Sequence, residues 1–123
     1  MKLAQVALGV QDLGRATAFY TELLGHPPAG TFDPPGLVFF DLEGVRLLLE
    51  VGAPAALLYL QVDSVRTQIE ELRRRGTPVI AEPHVIFRHA DDSLGPAETD
   101  EWLAFVRDSE GNLLGFASHE PSE

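Results

Sequence analysis

The two halves of this chain repeat one pattern, and that repeat limits the possible folds more than any other property. In the first half, Val10-Gln11-Asp12-Leu13 opens a segment of helical spacing that ends at Gly25. In the second half, Val62-Asp63-Ser64-Val65 opens a similar segment that ends at Gly76. An Asp or Ser before an apolar period and a Gly after it mark the two ends of a helix. One such unit cannot cover its own sheet, so the repeat predicts two paired copies.

Apolar alternation predicts the strands around the two helices. Residues 2–10 alternate, with Ala4, Val6, Leu8 and Val10 on one face, and residues 37–42 and 45–51 are typical of a hairpin turning at Glu43-Gly44. The Pro- and Gly-rich stretch 28–36 predicts a loop or an irregular edge strand. For the remainder we predict helices at 13–24 and 64–75 and strands at 57–62, from 79, at 101–107 and at 113–118.

The chain length favours a single domain, and the repeat divides it into two modules. With 123 residues the chain has the size of one domain. We expect a first module over residues 1–52 and a second over 57–119, joined by a short linker at 52–56. Residues 89–100 are acidic and predict a mobile surface loop, whereas His119 belongs to a tail that we expect to fray. On this interpretation His26 and His89 are surface residues.

Charge and composition exclude several classes of function. Nineteen acidic residues face nine basic ones, and the resulting net charge of −10 disfavours nucleic acid and anionic membranes as partners but suits a cationic ligand. There is no cysteine, so thiolate chemistry and disulfides are excluded. The apolar stretch 3–10 is too short to span a bilayer and lacks a cleavage site after it, so we expect a cytoplasmic protein.

Four motifs, in order along nearly the whole chain, resemble the vicinal oxygen chelate superfamily of glyoxalases, bleomycin-resistance proteins, methylmalonyl-CoA epimerases and extradiol dioxygenases. They are Val10-Gln11-Asp12-Leu13 with Arg15-Ala16 and Phe19-Tyr20, Leu23-Leu24-Gly25-His26, the stretch 62–76, and the stretch 105–113. The stretches 82–86 and 102–105 look like a glyoxalase-like subgroup of unknown activity. The resemblance implies an α+β fold of two tandem βαβββ modules in a curved mixed sheet, with helices outside, a concave ligand cavity and a homodimer.

Metal-dependent members of that superfamily resemble one another in four ligands, two per module, usually His, Gln or Glu. Matched position by position, this chain offers Gln5 on the first strand and either Glu50 or Leu48 on the first module's last strand. The second module offers Leu57-Leu58-Tyr59, without a histidine, and Gly115 in place of the ligand Glu. A catalytic ion needs about three protein ligands. The resemblance therefore predicts no tightly held metal in the cavity and no cofactor.

Seven residues are candidates for ligand binding, and several of them have a simpler structural alternative. They are Gln5, Glu50, Tyr59, His84, Arg88, Trp102 and Phe105. Gln5 either points into the cavity or lies at an exposed strand end. Glu50 either acts as a base or as the partner of a cation in the cavity, or it pairs with Arg46 at the sheet edge. Tyr59 offers an apolar wall with one hydroxyl.

Regular alternation would place His84 and Arg88 on one face, where together they could hold an anionic or carbonyl group. The alternative is a histidine packed at a sheet edge. Trp102 binds a flat ligand or belongs to the core, and Phe105 shares a face with Leu103.

Two functions follow, and the residues leave both open. The first is a small-molecule-binding protein of the bleomycin-resistance type, with its ligand in the sheet cavity and no catalytic metal. The second is a glyoxalase-related lyase or isomerase/epimerase that uses acid–base residues such as Gln5, Glu50 and His84, or a divalent metal. The sequence does not decide whether the protein is an enzyme, and a purely dimer-forming or regulatory module is a third possibility.

Overall fold

The computed structural model describes residues 1–122, which form two helices and eight strands. The chain divides into two compact units, one of residues 1–56 with 108–112 and one of residues 57–107 with 113–122. The elements are β1 (Gln5–Val10), α1 (Leu13–Leu24), β2 (Gly30–Phe32), β3 (Leu37–Leu42), β4 (Val45–Val51), β5 (Leu58–Gln61), α2 (Val65–Arg74), β6 (Val79–His89), β7 (Thr99–Arg107) and β8 (Leu113–Pro121).

The first unit is one βαβββ module with a four-stranded sheet in the order β1-β4-β3-β2. Strand β1 runs parallel to β4, and the other neighbours are antiparallel. Helix α1 is capped by the Asp12 carboxylate, which accepts from the Arg15 backbone N–H at 2.9 Å, and it ends at Gly25 with φ 79°. The stretch 28–36, predicted as a loop or an irregular edge strand, contributes the short edge strand β2.

The second unit repeats this plan with the sheet order β5-β8-β7-β6 and a parallel pair β5–β8. Helix α2 is capped by Ser64, whose Oγ accepts from the Thr67 backbone N–H, and it packs against β6, β7 and β8. The core of this unit consists of apolar side chains from the helix and one sheet face: Val65, Ile69, Leu72, Ala104, Val106, Leu114 and Phe116. The predicted pair of βαβββ modules, the α+β class and the two helices are thereby confirmed.

The ends of the last three strands differ from the sequence prediction. Strand β6 continues to His89, β7 begins at Thr99, and β8 runs through His119 to Pro121. His89 is only 2% exposed and His119 lies within β8, so the predictions of a surface His89 and a frayed His119 are wrong. Ladder hydrogen bonds between β7 and β8 continue past Ser118, and they order a segment that its polar composition alone would leave loose.

The turn at 108–112 links β7 and β8 but belongs to the first unit. No helix among the described residues is long and apolar enough to cross a membrane.

Candidate functional site

The two faces of the second unit's sheet differ in what they carry. Residues directly opposite in paired strands point to the same side, so the pairs Phe105–Gly115, Leu103–Ala117 and Glu101–His119 share one face. The intervening residues of β7 and β8 supply the face that packs on α2. We call the face opposite α2 the open face of this sheet.

Two aromatic rings meet on the open face. Tyr59, opposite Gly115 on the parallel pair β5–β8, contacts the edge of Phe105 with ring centroids 5.8 Å apart and planes at 71°. A Cβ at Gly115 would lie 2.9 Å from Tyr59 Cδ1 and 3.0 Å from Phe105 Cε1, so a side chain there would displace the rings. Tyr59 nevertheless keeps 56% of its surface exposed, which leaves an aromatic surface available to a ligand.

Two imidazoles and a carboxylate converge near the end of the same face. Glu101 Oε1 lies 2.8 Å from His89 Nε2 and 3.0 Å from His119 Nε2, and the three atoms lie within 4.8 Å of one another. His89 is only 2% exposed, and the His119 and Glu101 side chains are 17% and 23% exposed. We refer to these three residues as the His–Glu–His cluster.

The loop at 90–98 lies against this cluster. Gly95 approaches so closely that an added Cβ would stand 3.0 Å from His119 Nε2 and 3.1 Å from His89 Nε2. The Asp92 carboxylate accepts from the Ala97 backbone N–H at 2.8 Å, and the Glu98 N–H donates to the His89 carbonyl at 2.8 Å, so the loop is tied to itself and to β6. A cleft of about 260 Å³ lies between the end of β6 and this loop, lined by Phe87, Arg88, His89, Ala90, Asp91, Ser93 and Leu94.

Gln5 and Glu50 lie on the first unit's sheet, on the face that alternates with the core residues. Gln5 Oε1 accepts from Arg46 Nε at 2.9 Å, so Arg46 pairs with Gln5 and not, as the alternative had it, with Glu50. Gln5 stands opposite Arg46, and Glu50 is four residues farther along β4, about 13 Å away. Leu48, opposite Ala7, is closer to Gln5 than Glu50 is.

The predicted partnership of His84 and Arg88 is wrong. His84 pairs with Leu103 and Arg88 with Asp100, and these two partners point to opposite faces of β7. A register shift between Val85 and Phe87 inserts an extra residue into β6 and reverses the alternation there. His84 Nδ1 contacts the Glu82 carbonyl at 2.8 Å, whereas Arg88 donates to Glu98 at 2.9 Å.

Trp102 lies on the face toward α2 and not beside Phe105. The Arg66 guanidinium of α2 stands 4.1 Å from the centre of the Trp102 ring and donates to Glu120 at 2.9 Å. Trp102 is thus paired with a helix side chain by a cation–π contact. Of the predicted site residues, the structure brings Tyr59 and Phe105 together and places Trp102 behind them, across the sheet.

The comparison with protein families decides the identity of the fold. A sequence model of the glyoxalase/bleomycin resistance protein/dioxygenase superfamily matches residues 2–116. The chain belongs to this superfamily. The predicted resemblance is therefore confirmed, and no curated protein matches the chain in sequence.

Solved structures similar to this superfamily member agree on the fold. A glyoxalase-related enzyme from Fulvimarina pelagi has a TM-score of 0.68 and 20% identity, covering 96% of this chain and 88% of its own. A lactoylglutathione lyase from Agrobacterium tumefaciens has a TM-score of 0.69 and 20% identity, covering 95% and 92%. A virulence protein from Salmonella typhimurium has a TM-score of 0.72 and 18% identity, covering 96% of each chain.

Metal-dependent members of the superfamily resemble one another in four ligand positions. The residues that this chain carries at those positions do not fit a metal ion. Gln5 is engaged by Arg46, and Glu50 lies about 13 Å farther along the sheet. In the second unit, Tyr59 and Phe105 occupy the space that a side chain at Gly115 would need. The residues at these positions therefore provide fewer than the three protein ligands that a catalytic ion requires.

The His–Glu–His cluster is the arrangement that the sequence interpretation missed. The register of the β7–β8 hairpin could have revealed part of it, because the register that pairs Arg107 with Leu113 also pairs Glu101 with His119. Ending the last strand at Ser118 hid that pair. His89 could not have been added from alternation, since β6 contains three register shifts.

Proposed function

We propose that this superfamily member binds a small molecule on the open face of the β5–β8 sheet, with planar cationic molecules as the preferred class. The observation that supports this most is the Tyr59–Phe105 pair, in which Tyr59 remains 56% exposed. Exposed aromatic rings provide flat apolar surface for a ligand. A net charge of −10 and the negative faces of both rings favour a cation over an anion.

In this proposal the ligand is held without a metal at the superfamily's ligand positions. His84 stays a predicted ligand contact on this open face, and Gln5 and Glu50 stay predicted ligand contacts on the first unit's own sheet. A homodimer and a cytoplasmic location belong to the same proposal. The exposed apolar side chains Val85, Ile86 and Phe87 on the edge strand β6 support self-association, because a second copy would cover them.

The alternative is a glyoxalase-related lyase or isomerase. One observation favours it, namely the His–Glu–His cluster, because two imidazoles and a carboxylate are groups that transfer protons or hold a metal ion. The cluster shares the open face with the aromatic pair.

Titration with the planar cation proflavine, followed by its fluorescence, tests ligand binding. Tyr59→Ala should weaken saturable binding about fivefold, since one cation–π contact is worth roughly 1 kcal/mol. Trp102→Phe is the matched control, because it changes an aromatic ring on the other face of the same sheet. Absence of saturable binding by the unaltered protein, or an equal loss in both variants, would contradict the proposal.

A further inference from the structure

We propose that the His–Glu–His cluster is a binding site for one divalent first-row transition metal ion. The three candidate ligand atoms already lie close together. Ligand atoms bound at about 2.0–2.2 Å to one such ion stand roughly 3 Å from each other. Glu101 Oε1 already lies 2.8 Å and 3.0 Å from the two Nε2 atoms, and the two Nε2 atoms lie within 4.8 Å of each other, so binding requires small shifts of the Glu101 pairs and a closer approach of the two imidazoles.

The donor set selects the kind of ion. Two imidazole nitrogens and one carboxylate oxygen suit Zn²⁺, Fe²⁺, Co²⁺ or Ni²⁺, whereas Mg²⁺ and Ca²⁺ prefer oxygen ligands alone. Three protein ligands leave at least one coordination position for water or for a donor atom of a small molecule. The site therefore has the open form that is common in catalytic metal sites and not the closed form of structural ones.

The three ligands are held by the sheet and not by loops. They lie on the adjacent strands β6, β7 and β8, and Glu101 is directly opposite His119. The Phe87 ring meets His89 edge-on with centroids 4.8 Å apart, and His89 meets His119 at 5.1 Å, so packing fixes the buried imidazole. Ligands on paired strands keep their spacing before the ion arrives, which lowers the cost of binding.

The surrounding charge favours a cation. Residues 89–101 contain no Lys or Arg, and their five acidic side chains are Asp91, Asp92, Glu98, Asp100 and Glu101. The nearest cation in sequence, Arg88, points to the other face of the sheet, where it pairs with Glu98 and Asp100, so Asp91, Asp92 and Glu101 carry the remaining negative charge of this segment. This acidic loop, which the sequence predicted to be a mobile surface loop, lies directly against the proposed ion site at Gly95.

Gly95 gives the site a second test that keeps all three ligand residues, although an added Cβ would also lie 2.9 Å from His89 Cε1 and press on that ring. An alanine methyl at this position would stand 3.0–3.1 Å from both Nε2 atoms, where it would compete with an ion bound between them. The φ of Gly95 lies outside the positive range that L residues avoid, so alanine introduces no backbone strain of that kind.

This inference stands apart from the proposed function, because the probe is the metal alone. Titration of the intact protein with Co²⁺, followed by its visible absorption and by elemental analysis after dialysis, should give one ion per chain. Glu101→Gln and His119→Gln should each weaken binding about 100-fold or more, since losing even a supporting partner of a ligand costs 10–100-fold. His84→Gln and Gln5→Ala are matched controls that should bind Co²⁺ normally.

Circular dichroism verifies that each variant is folded. If a ligand variant does not fold, Gly95→Ala takes its place in the experiment, and we expect it to bind Co²⁺ at least tenfold more weakly. The proposal is overturned if the unaltered protein fails to retain Co²⁺ stoichiometrically, in which case the cluster is a hydrogen-bonded group only. It is also overturned if the Gln5 or His84 variants lose the ion, or if Glu101→Gln and Gly95→Ala both bind it normally.

Discussion

Replacing Glu110 with Gln should destabilise the protein in a pH-dependent way. The Glu110 side chain is buried in the first unit, where it accepts from the backbone N–H groups of Gln11 at 2.8 Å and Asp12 at 2.7 Å. It also accepts from Arg15 Nε at 2.7 Å and Nη2 at 3.1 Å, and from Ser109 Oγ at 2.9 Å. One carboxylate thus satisfies backbone donors at the start of α1 and fixes the turn at 108–112.

The magnitude follows from the pKa of this carboxyl group. The Arg15 hydrogen bond lowers it most, and with the backbone and Ser109 donors it outweighs the opposing effect of burial, so the pKa falls from 4.5 to about 2. A folded pKa below the unfolded value stabilises the protein above pH 4.5, and that stabilisation is lost as pH falls toward 2. The shift corresponds to about 3 kcal/mol at pH 7 and about 1.4 kcal/mol at pH 3, as upper estimates.

Urea unfolding of the unaltered protein, Glu110→Gln and the exposed control Glu70→Gln at several pH values measures this. We expect Glu110→Gln to lower the free energy of unfolding by about 2–3 kcal/mol at pH 7, with the difference roughly halved at pH 3. Glu70→Gln should change it by less than about 0.5 kcal/mol. A Glu110→Gln protein as stable as the original, or a loss that stays constant from pH 7 to pH 3, would refute the reasoning.

Three further predictions concern a buried hydrogen bond, a close contact at a glycine and the oligomeric state. Tyr20→Phe should cost about 1.5 kcal/mol in urea unfolding, because it removes the buried 2.6 Å hydrogen bond from the Tyr20 hydroxyl to Asp108; an unchanged midpoint would show that this bond contributes nothing. Gly115→Ala should cost about 1 kcal/mol or more, and less in a Tyr59→Ala background, since its methyl would overlap the Tyr59 ring; equal costs in both backgrounds would contradict the overlap. Light scattering should give a mass near twice 13.4 kDa for the predicted homodimer, whereas a monomer mass at micromolar concentration would reject it.

Local signals predicted most of the fold. The Asp12 cap, the Ser64 cap and the glycines after each helix act within a few residues, so they place α1 and α2 from sequence alone. The repeat then gives the order of strands, because two similar halves fold into similar modules. Tyr59 and Phe105 could each be named as candidates because both follow regular alternation, whereas their contact is seen only in the structure.

The features that the sequence did not predict depend on how the strands pair in the folded protein. Strand β8 extends to Pro121 because β7 supplies partners for its backbone, which no property of the polar tail reveals. The bulges in β6 separate His84 from Arg88, and a register shift leaves no mark in composition. Trp102 was within reach of sequence reasoning, since its odd spacing from Phe105 already places the two rings on opposite faces of a regular strand.

The position of a bound metal ion tests most directly the claim that the chemistry of this superfamily member lies on its second unit. We would crystallise the protein with one equivalent of Co²⁺ and locate the ion by its anomalous scattering. We expect one ion about 2.1 Å from His89 Nε2, His119 Nε2 and Glu101 Oε1. An ion at Gln5 or Glu50, with the His–Glu–His cluster left unbound, would contradict it.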